Sequence, residues 1–150
     1  MRAVITRVKS ASVTIDGEVT GRIGKGFLVL LGVCTEDGEA EAERIADRIC
    51  GLRVFEDGNG KMNVSPADAG AEMLIVSQFT LFASTRRGNR PSYIRSAPEA
   101  VSRPVYERFV ESVRSSFGGK VATGVFGADM KVELVNDGPV TIWIDSRNRE

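Results

Sequence analysis

The most informative segment of the chain is Glu72-Met73-Leu74-Ile75-Val76-Ser77-Gln78-Phe79-Thr80-Leu81-Phe82. Its first part is a short apolar run that is typical of a buried strand. The hydroxyl and amide side chains of Ser77, Gln78 and Thr80 follow, although a plain core strand has no use for them. Because buried polar groups need hydrogen-bond partners, these side chains either bond to neighbouring backbone or face a cavity that holds a ligand. Taken alone, the segment favours an ordinary strand, since threonine is a good strand former.

Apolar and β-branched segments on both sides predict further strands. Val4 to Val13 alternates in polarity, and Phe27 to Val33 is continuously apolar, which predicts a strand buried on both faces. Near the C-terminus, Lys131 to Val135 and Val140 to Asp145 predict two strands. The residues between them, Asn136-Asp137-Gly138-Pro139, are expected to form a turn.

Two segments have helical periodicity. The first is capped by Thr35-Glu36-Asp37 and runs to about Gly51. The second follows the capping-box pattern Ser96-Ala97-Pro98-Glu99 and ends at Gly118-Gly119. With seven or eight strands, they predict a single α+β domain over residues 1–150, in which two main helices pack on a curved, mainly antiparallel, barrel-like β-sheet.

Composition and charge restrict the class of protein. The 150 residues are 42% hydrophobic and 27% charged, as in soluble globular domains. Twenty basic and twenty acidic side chains cancel, so no global field attracts the chain to nucleic acid or membrane. The longest apolar run is too short to span a bilayer, and the N-terminus is unlike a signal peptide. A cytoplasmic protein without membrane association is expected.

The chain contains no histidine. Ser-His-Asp and Cys-His arrangements, histidine metal sites and an imidazole general base are therefore excluded. Cys34 and Cys50 form neither a disulfide framework nor a zinc site, and the acids of the turn 56–61 lack the spacing of a calcium loop. No metal or cofactor is expected, and any catalysis must use carboxylates, hydroxyls, backbone amides, lysine, arginine or a group on the substrate.

The segment after Phe82 is the basic cluster of the chain. Residues 83–95 contain Arg86, Arg87, Arg90 and Arg95. Each guanidinium can bond phosphate oxygens in pairs, and four like charges repel one another unless an anion is present. A solvated loop is the alternative, but the pattern favours contact with phosphate or an RNA backbone.

Two segments resemble the signature motifs of the D-aminoacyl-tRNA deacylases, formerly called D-tyrosyl-tRNA deacylases. They are Ser77-Gln78-Phe79-Thr80-Leu81 and Asn136-Asp137-Gly138-Pro139-Val140-Thr141, and the resemblance covers essentially the whole chain. Members of this family hydrolyse the ester that joins a D-amino acid, or glycine, to the terminal adenosine of tRNA. The resemblance therefore implies a homodimeric proofreading hydrolase that acts on D-aminoacyl-tRNA and on glycyl-tRNA mischarged on tRNA-Ala.

The resemblance also implies roles for particular residues. Ser77, Gln78, Phe79 and Thr80 would line the pocket for the ester and the adenosine, and Met130 would pack on the adenine. Catalysis would involve Gln78, Phe79 and Thr80, with backbone N–H groups around Phe79 and Thr80 stabilising the oxyanion. In this family the chemistry is assigned to the 2′-hydroxyl of the substrate. The missing histidine agrees with that assignment, because a threonine without a base is a poor nucleophile.

The second motif would control chirality. The resemblance implies that the Gly138–Pro139 peptide bond is cis and that each subunit of the dimer inserts this pair into the site of the other. Its carbonyl oxygens would crowd an L side chain and tolerate a D side chain, which is specificity by rejection. Arg7 would hold the pair by bonding backbone carbonyls. On the basis of charge alone, Arg86, Arg87 and Arg90 would contact acceptor-stem phosphates.

Two alternatives stay open. One is a non-catalytic module that binds RNA or nucleotides through the arginine-rich segment and aromatic residues. The other is a relative that edits a mischarged L-amino acid, in which the bond between Gly138 and Pro139 would be trans.

Overall fold

A computed structural model describes residues 1–148, which form eight strands, two α-helices and one 3-10 helix. In chain order these elements are β1 (Arg2–Ile15), β2 (Glu18–Ile23), β3 (Gly26–Gly32), α1 (Glu39–Cys50), β4 (Phe55–Glu56), β5 (Met62–Val64), β6 (Glu72–Ser77), the 3-10 helix (Phe79–Phe82), α2 (Glu99–Phe117), β7 (Val121–Thr123) and β8 (Lys131–Asp145). The predicted α+β class with two main helices is confirmed.

The sheet is built around β1, whose pairings with β2, β3 and β8 are all antiparallel. The strand order continues from β3 to β6 and β7, and these two pairings are parallel. Each parallel pair is joined by a crossover that contains a helix, α1 in the first and α2 in the second, as parallel neighbours require. The sheet is therefore mixed, and its antiparallel pairings are those made by β1, while β4 and β5 form a separate antiparallel ribbon.

The sheet curls until its β2 edge approaches β7. At Gly21 a methyl group would lie only 2.7 Å from the carbonyl oxygen of Thr123, so the two backbones are in close contact there. The enclosed interior is filled by apolar side chains, which include Val13, Ile23 and Leu28. This arrangement confirms the predicted barrel-like curvature.

Strand β6 is buried on both faces, as its apolar sequence predicts. Met73 and Ile75 pack in the larger core with the helices, whereas Leu74 and Val76 pack inside the barrel. The strand ends at Ser77, and the chain then turns into the 3-10 helix. The parallel partner β3 also ends here. Thr80 therefore lies beyond the strand, and its interpretation as an ordinary strand residue is wrong.

The predicted starts of both α-helices are wrong by a few residues. Helix α1 begins at Glu39 with Gly38 as its N-cap, whose N–H donates to Glu41 at 3.2 Å. Asp37 does not cap it, because its buried carboxylate accepts hydrogen bonds from the N-terminal ammonium and from the Cys34 N–H. Helix α2 begins at Glu99 after Pro98 and has no side-chain cap, so the expected capping box is absent.

The predicted turn at 136–139 is a bulge inside one long strand. Asn136 pairs with Val8 and Thr141 pairs with Thr6, so residues 137–140 lie opposite Arg7 alone. The chain does not reverse there because both halves of β8 pair with the same strand, β1. Among residues 1–148, no helix is both long and apolar enough to cross a membrane.

Candidate active site

A cavity of about 480 Å³ opens where β3 and β6 end. These strands run parallel, and their carboxyl ends meet at one edge of the sheet, where the following loops can enclose a ligand. Helix α2 and the segment after β7 complete the enclosure. The lining residues are Leu31, Val33, Val76, Ser77, Gln78, Phe79, Tyr93, Ser96, Ala97, Glu99, Ser102, Tyr106, Phe126, Gly127, Ala128, Met130 and Val132.

The structure brings four of the predicted site residues together in this cavity. Ser77, Gln78, Phe79 and Met130 all line it, although Met130 is more than fifty positions away in the sequence. Thr80 lies next to the lining and its hydroxyl accepts a hydrogen bond from the side-chain amide of Gln78. The hydroxyl and amide groups of the first motif therefore sit at the edge of a space that a ligand can enter.

The backbone at this edge is held by hydrogen bonds on both sides. The Gln78 N–H donates to the Leu31 carbonyl at 2.7 Å, and the Leu81 N–H donates to the Gln78 carbonyl at 3.3 Å. The Leu81 bond is the first hydrogen bond of the 3-10 helix. The N–H groups of Phe79 and Thr80 therefore have no acceptor within the helix. Phe79 lines the cavity and Thr80 follows it, so both N–H groups belong to the backbone at the cavity edge.

Sequence inspection missed several residues of the cavity wall, among them the buried Tyr106. Its hydroxyl donates to the Ile75 carbonyl at 3.1 Å, and burial raises its pKa to about 12. Tyr106 is therefore a neutral structural group and not a base. Its spacing of four residues from Ser102 is the signal that would have placed both on the buried face of α2.

Phe126 forms a second part of the wall that the motifs alone did not identify. Its ring centroid lies 5.4 Å from that of Tyr106, and the guanidinium of Arg103 lies 4.9 Å above the Phe126 ring. Arg103 in turn bonds the carboxylate of Glu99, with its Nε at 3.0 Å. The aromatic wall is thus braced from α2.

Gly124 determines how closely Met130 approaches the sheet. A methyl group at Gly124 would lie 2.5 Å from the Met130 sulfur, which is closer than van der Waals contact permits. The Gly124 N–H donates to the Ile75 carbonyl at 3.0 Å, so the backbone of Gly124 cannot easily move away. The absence of a side chain here therefore leaves the space that the Met130 thioether occupies.

Gly138 and Pro139 do not line the cavity of their own chain. Both are exposed in the bulge of β8, and the peptide bond between them is cis. The buried side chain of Arg7 holds the bulge, because its Nε donates to the Asp137 carbonyl at 3.0 Å and its Nη1 to the Val54 carbonyl at 2.6 Å. The Asp137 carboxylate lies 3.7 Å from the same guanidinium.

Several large apolar side chains of β8 are exposed. Leu134, Val135 and Trp143 are 41%, 52% and 50% exposed. Large apolar side chains that share one exposed strand are typical of a surface that contacts another protein.

The arginine-rich segment is a loop that closes on itself. Ser84 and Ser92 exchange backbone hydrogen bonds of 2.8 and 2.9 Å, and Arg86, Arg87 and Arg90 are exposed on the loop between them. None of these arginines lines the cavity. Directly after the loop, the Tyr93 ring contacts the Phe79 ring edge-on at the cavity mouth, with centroids 5.0 Å apart.

Within residues 1–148, no group of three or more histidine, cysteine or acidic side chains is arranged to hold a metal ion. The cysteines are free, and burial together with the Asp47 carboxylate raises the pKa of the Cys50 thiol to about 11. Cys50 is thus protonated at neutral pH and belongs to the packing of α1.

Comparison with known proteins gives consistent results. The family model described as D-Tyr-tRNA(Tyr) deacylase matches residues 4–145. Proteins named D-aminoacyl-tRNA deacylase from Parabacteroides distasonis and Chromobacterium violaceum are each 53% identical over 150 residues, which is the full length of both chains in each comparison.

Two solved structures share the fold. One, described as "c-Myc DNA Unwinding Element Binding Protein", is 42% identical with a TM-score of 0.90, and the match covers 97% of this chain and 98% of that one. The other, described as "Structural Analysis of a probable eukaryotic D-amino acid tRNA deacylase", has a TM-score of 0.81 at 16% identity, with 95% and 97% of the two chains covered. The second likeness concerns the fold alone.

Proposed function

The chain belongs to the D-aminoacyl-tRNA deacylase family, and on that premise we propose that it hydrolyses the ester of D-aminoacyl-tRNA in the cavity at the end of β6. The products are a free D-amino acid and tRNA, so the reaction is a proofreading step in translation. The observation that carries this proposal is the convergence of Ser77, Gln78, Phe79 and Met130 on one cavity, beside two backbone N–H groups that no helical bond uses.

The terminal adenosine of the tRNA would bind in this cavity. Its apolar wall of Phe126 and Met130 suits the faces of a purine, and Ser77 and Gln78 supply hydrogen bonds at the ester end. A volume of about 480 Å³ falls within the range that holds a small-molecule ligand.

The N–H groups of Phe79 and Thr80 would stabilise the oxyanion. When water adds to the ester carbonyl, negative charge develops on the carbonyl oxygen, and preorganised donors at that position lower the barrier. The tetrahedral intermediate then releases the 3′-oxygen of the adenosine, which takes up the proton that the attacking water loses.

The 2′-hydroxyl of the substrate would orient the attacking water. The chain contains no histidine, and the contact of the Thr80 hydroxyl is with an amide, which is not a base. A threonine without a base is poorly activated as a nucleophile. The substrate hydroxyl is next to the scissile ester and needs no such activation to position water.

A second copy of the chain would supply the chirality filter. Gly138 and Pro139 are exposed, lie outside their own cavity and are held by a buried arginine. The apolar surface of Leu134, Val135 and Trp143 on the same strand supports a homodimer. In the dimer the carbonyl oxygens of the Gly138–Pro139 pair would collide with an L side chain. Glycine has no side chain to reject, so glycyl-tRNA mischarged on tRNA-Ala would also be a substrate.

Hydrolysis assays with the purified protein test this proposal. D-tyrosyl-tRNA should be hydrolysed and L-tyrosyl-tRNA should persist under the same conditions. A failure to hydrolyse the D-form would contradict the catalytic proposal. Comparable hydrolysis of both forms would contradict the filter while leaving the catalytic proposal intact.

A second candidate function is non-catalytic binding of nucleic acid. It is favoured by the exposed Arg86, Arg87 and Arg90 and by the description of the 42% identical solved structure as a DNA-binding protein. This function would show binding of uncharged RNA or DNA with no hydrolysis of any aminoacyl ester.

In the deacylase the same arginines would contact acceptor-stem phosphates. Replacing Arg86 and Arg87 together with alanine should weaken tRNA binding, because each phosphate contact releases counterions. The slope of log Kd against log salt concentration should fall by about 1 to 2. Binding that is unchanged at low salt would show that the loop is only solvated, and replacement of the distant Arg48 on α1 is the matched control.

A further inference from the structure

The mouth of the cavity carries two exposed aromatic rings. Phe79 is 57% exposed and Tyr93 is 38% exposed, and their rings meet at an interplanar angle of 69°. In an edge-on contact of this kind, one ring presents its edge, so its own faces are not covered by the other ring. Neighbouring exposed aromatic rings at the mouth of a cavity are candidates for a binding surface.

Backbone hydrogen bonds hold Tyr93 in place. The preceding residue, Ser92, is paired with Ser84, and the Ser96 N–H donates to the Tyr93 carbonyl at 2.9 Å. The Ala97 N–H then donates to the Val33 carbonyl at 3.0 Å, which ties this segment to the end of β3. The ring is thus presented by a fixed segment and not by a mobile loop tip.

The segment that carries these rings is basic, and the nearest acidic residue in the sequence, Glu99, also lines the cavity and is paired with Arg103. Residues 79–98 contain Arg86, Arg87, Arg90 and Arg95 and no acidic residue. All four arginines are exposed. Aromatic rings combined with a positively charged surface are the means by which proteins bind single-stranded nucleic acid.

We propose that Tyr93, with Phe79 in contact beside it, forms a stacking platform for the nucleotide that precedes the terminal adenosine of the tRNA. The inference rests on the proposed function, in which the cavity holds the adenosine and the aminoacyl ester. The rest of the unpaired 3′ end must then leave through the mouth, where the aromatic rings stand. The platform would bind any base, because every base has a π face.

The test compares two short substrates: the D-tyrosyl ester of adenosine and the D-tyrosyl ester of the dinucleotide CpA. The wild-type protein should have a higher kcat/KM for the dinucleotide, and in Tyr93→Leu this preference should fall about tenfold. Tyr93→Phe, which keeps the ring, should retain the preference. Ile94→Ser, at the neighbouring residue, is the matched control because Ile94 is 86% exposed and does not line the cavity.

A third substrate separates stacking from phosphate contact. A dinucleotide with an abasic residue before the adenosine keeps the phosphate but offers no base. It should be hydrolysed no better than the adenosine ester. If it is hydrolysed as well as the CpA ester, a phosphate contact explains the preference and the platform is overturned.

Two other outcomes would also overturn the platform: equal kcat/KM values of the wild type for the two esters, or a loss in Tyr93→Leu that is the same for both. Non-hydrolysable amide analogues allow the same ratio to be measured as Kd. The platform is therefore tested by the binding of the dinucleotide relative to adenosine, whereas the proposed function is tested by the hydrolysis of D-tyrosyl-tRNA.

Discussion

The two motif segments of this chain are held in different ways. Residues 77–82 continue a strand that is buried on both faces, and backbone bonds to β3 fix them beside a cavity of the same chain. Residues 136–141 form an exposed bulge in β8. The bulge is held by the side chain of Arg7 and not by packing in a hydrophobic core. Core packing thus accounts for the first segment. The second segment, residues 136–141, is exposed and does not line the cavity of its own chain.

This difference predicts which substitutions lower hydrolysis of every substrate and which lower selectivity. Disturbing residues 77–82 should impair hydrolysis of every substrate, because these residues border the cavity. Disturbing residues 136–141 should act mainly on the discrimination between D- and L-aminoacyl esters. The following predictions test that division, from the largest expected effect to the smallest.

Arg7→Ala should have the largest effect. The guanidinium is buried and bonds the carbonyls of Asp137 and Val54, so both acceptors lose a charged donor. The free energy of unfolding should fall by about 3 kcal/mol, as measured by urea denaturation. The ratio of kcat/KM for D-tyrosyl-tRNA over L-tyrosyl-tRNA should fall as well. Arg7→Lys is the control, and an unaltered ratio in Arg7→Ala would show that the bulge does not govern chirality.

The same substitution at two glycines compares the segments directly. In Gly32→Ala the new methyl group would lie 2.9 Å from the Gln78 carbonyl oxygen and 3.1 Å from Leu81 Cβ. In Gly138→Ala it would lie 2.7 Å from Val140 Cγ2, at a φ of +135° that favours glycine. Each should lower the free energy of unfolding by about 2 kcal/mol.

Activity should separate these two variants. Gly32→Ala should lower kcat/KM for D-tyrosyl-tRNA without altering the D-to-L ratio, whereas Gly138→Ala should lower the ratio itself. Assays of both variants with both substrates check this. If the two variants lose selectivity equally, the division between the segments is wrong.

Gly124→Ala should narrow the cavity. The added methyl group would displace the Met130 thioether, which is flexible, so the cost should appear in substrate binding more than in stability. KM for D-tyrosyl-tRNA should rise about fivefold, equivalent to about 1 kcal/mol. The double variant Gly124→Ala with Met130→Ala lacks the displaced thioether, so its KM should be lower than that of Gly124→Ala alone. An equally high KM in the double variant would contradict this account.

Thr80→Ala should have the smallest effect. Its hydroxyl accepts a bond from the Gln78 side chain, and one neutral hydrogen bond contributes about 1 kcal/mol or less. We therefore expect kcat to fall by no more than about fivefold. Complete loss of hydrolysis with intact tRNA binding would indicate instead that the Thr80 hydroxyl is the nucleophile. In that case Thr80→Ser should retain activity.

Much of the fold could be predicted because its central strands have strong local patterns. Strands β3 and β6 are continuously apolar, and the left-handed Gly118 ends α2 where the glycine pair predicts. The helix starts could not be predicted, because a tertiary contact competes for the capping residue. Asp37 would be a good cap, but the N-terminal ammonium lies 2.6 Å from its carboxylate and binds it instead.

The candidate site could be predicted only in part. Ser77, Gln78 and Phe79 interrupt an apolar pattern, so their position is visible in the sequence. Tyr106 and Phe126 look like ordinary core residues, because nothing in a helical or loop pattern tells a cavity wall from a filled core. That distinction depends on what packs opposite the side chain.

By itself, the sequence determined the chemistry that is available to this protein. Without histidine it has no imidazole base, and its hydroxyl and amide groups are concentrated at the end of one apolar strand. Only the tertiary structure decided where the second motif lies. A Gly-Pro pair between two strand-like segments has the local pattern of a turn, but both segments pair with β1, and the pair becomes a bulge opposite Arg7. Which strand each segment pairs with depends on contacts between residues far apart in the chain, and a local sequence pattern does not encode them.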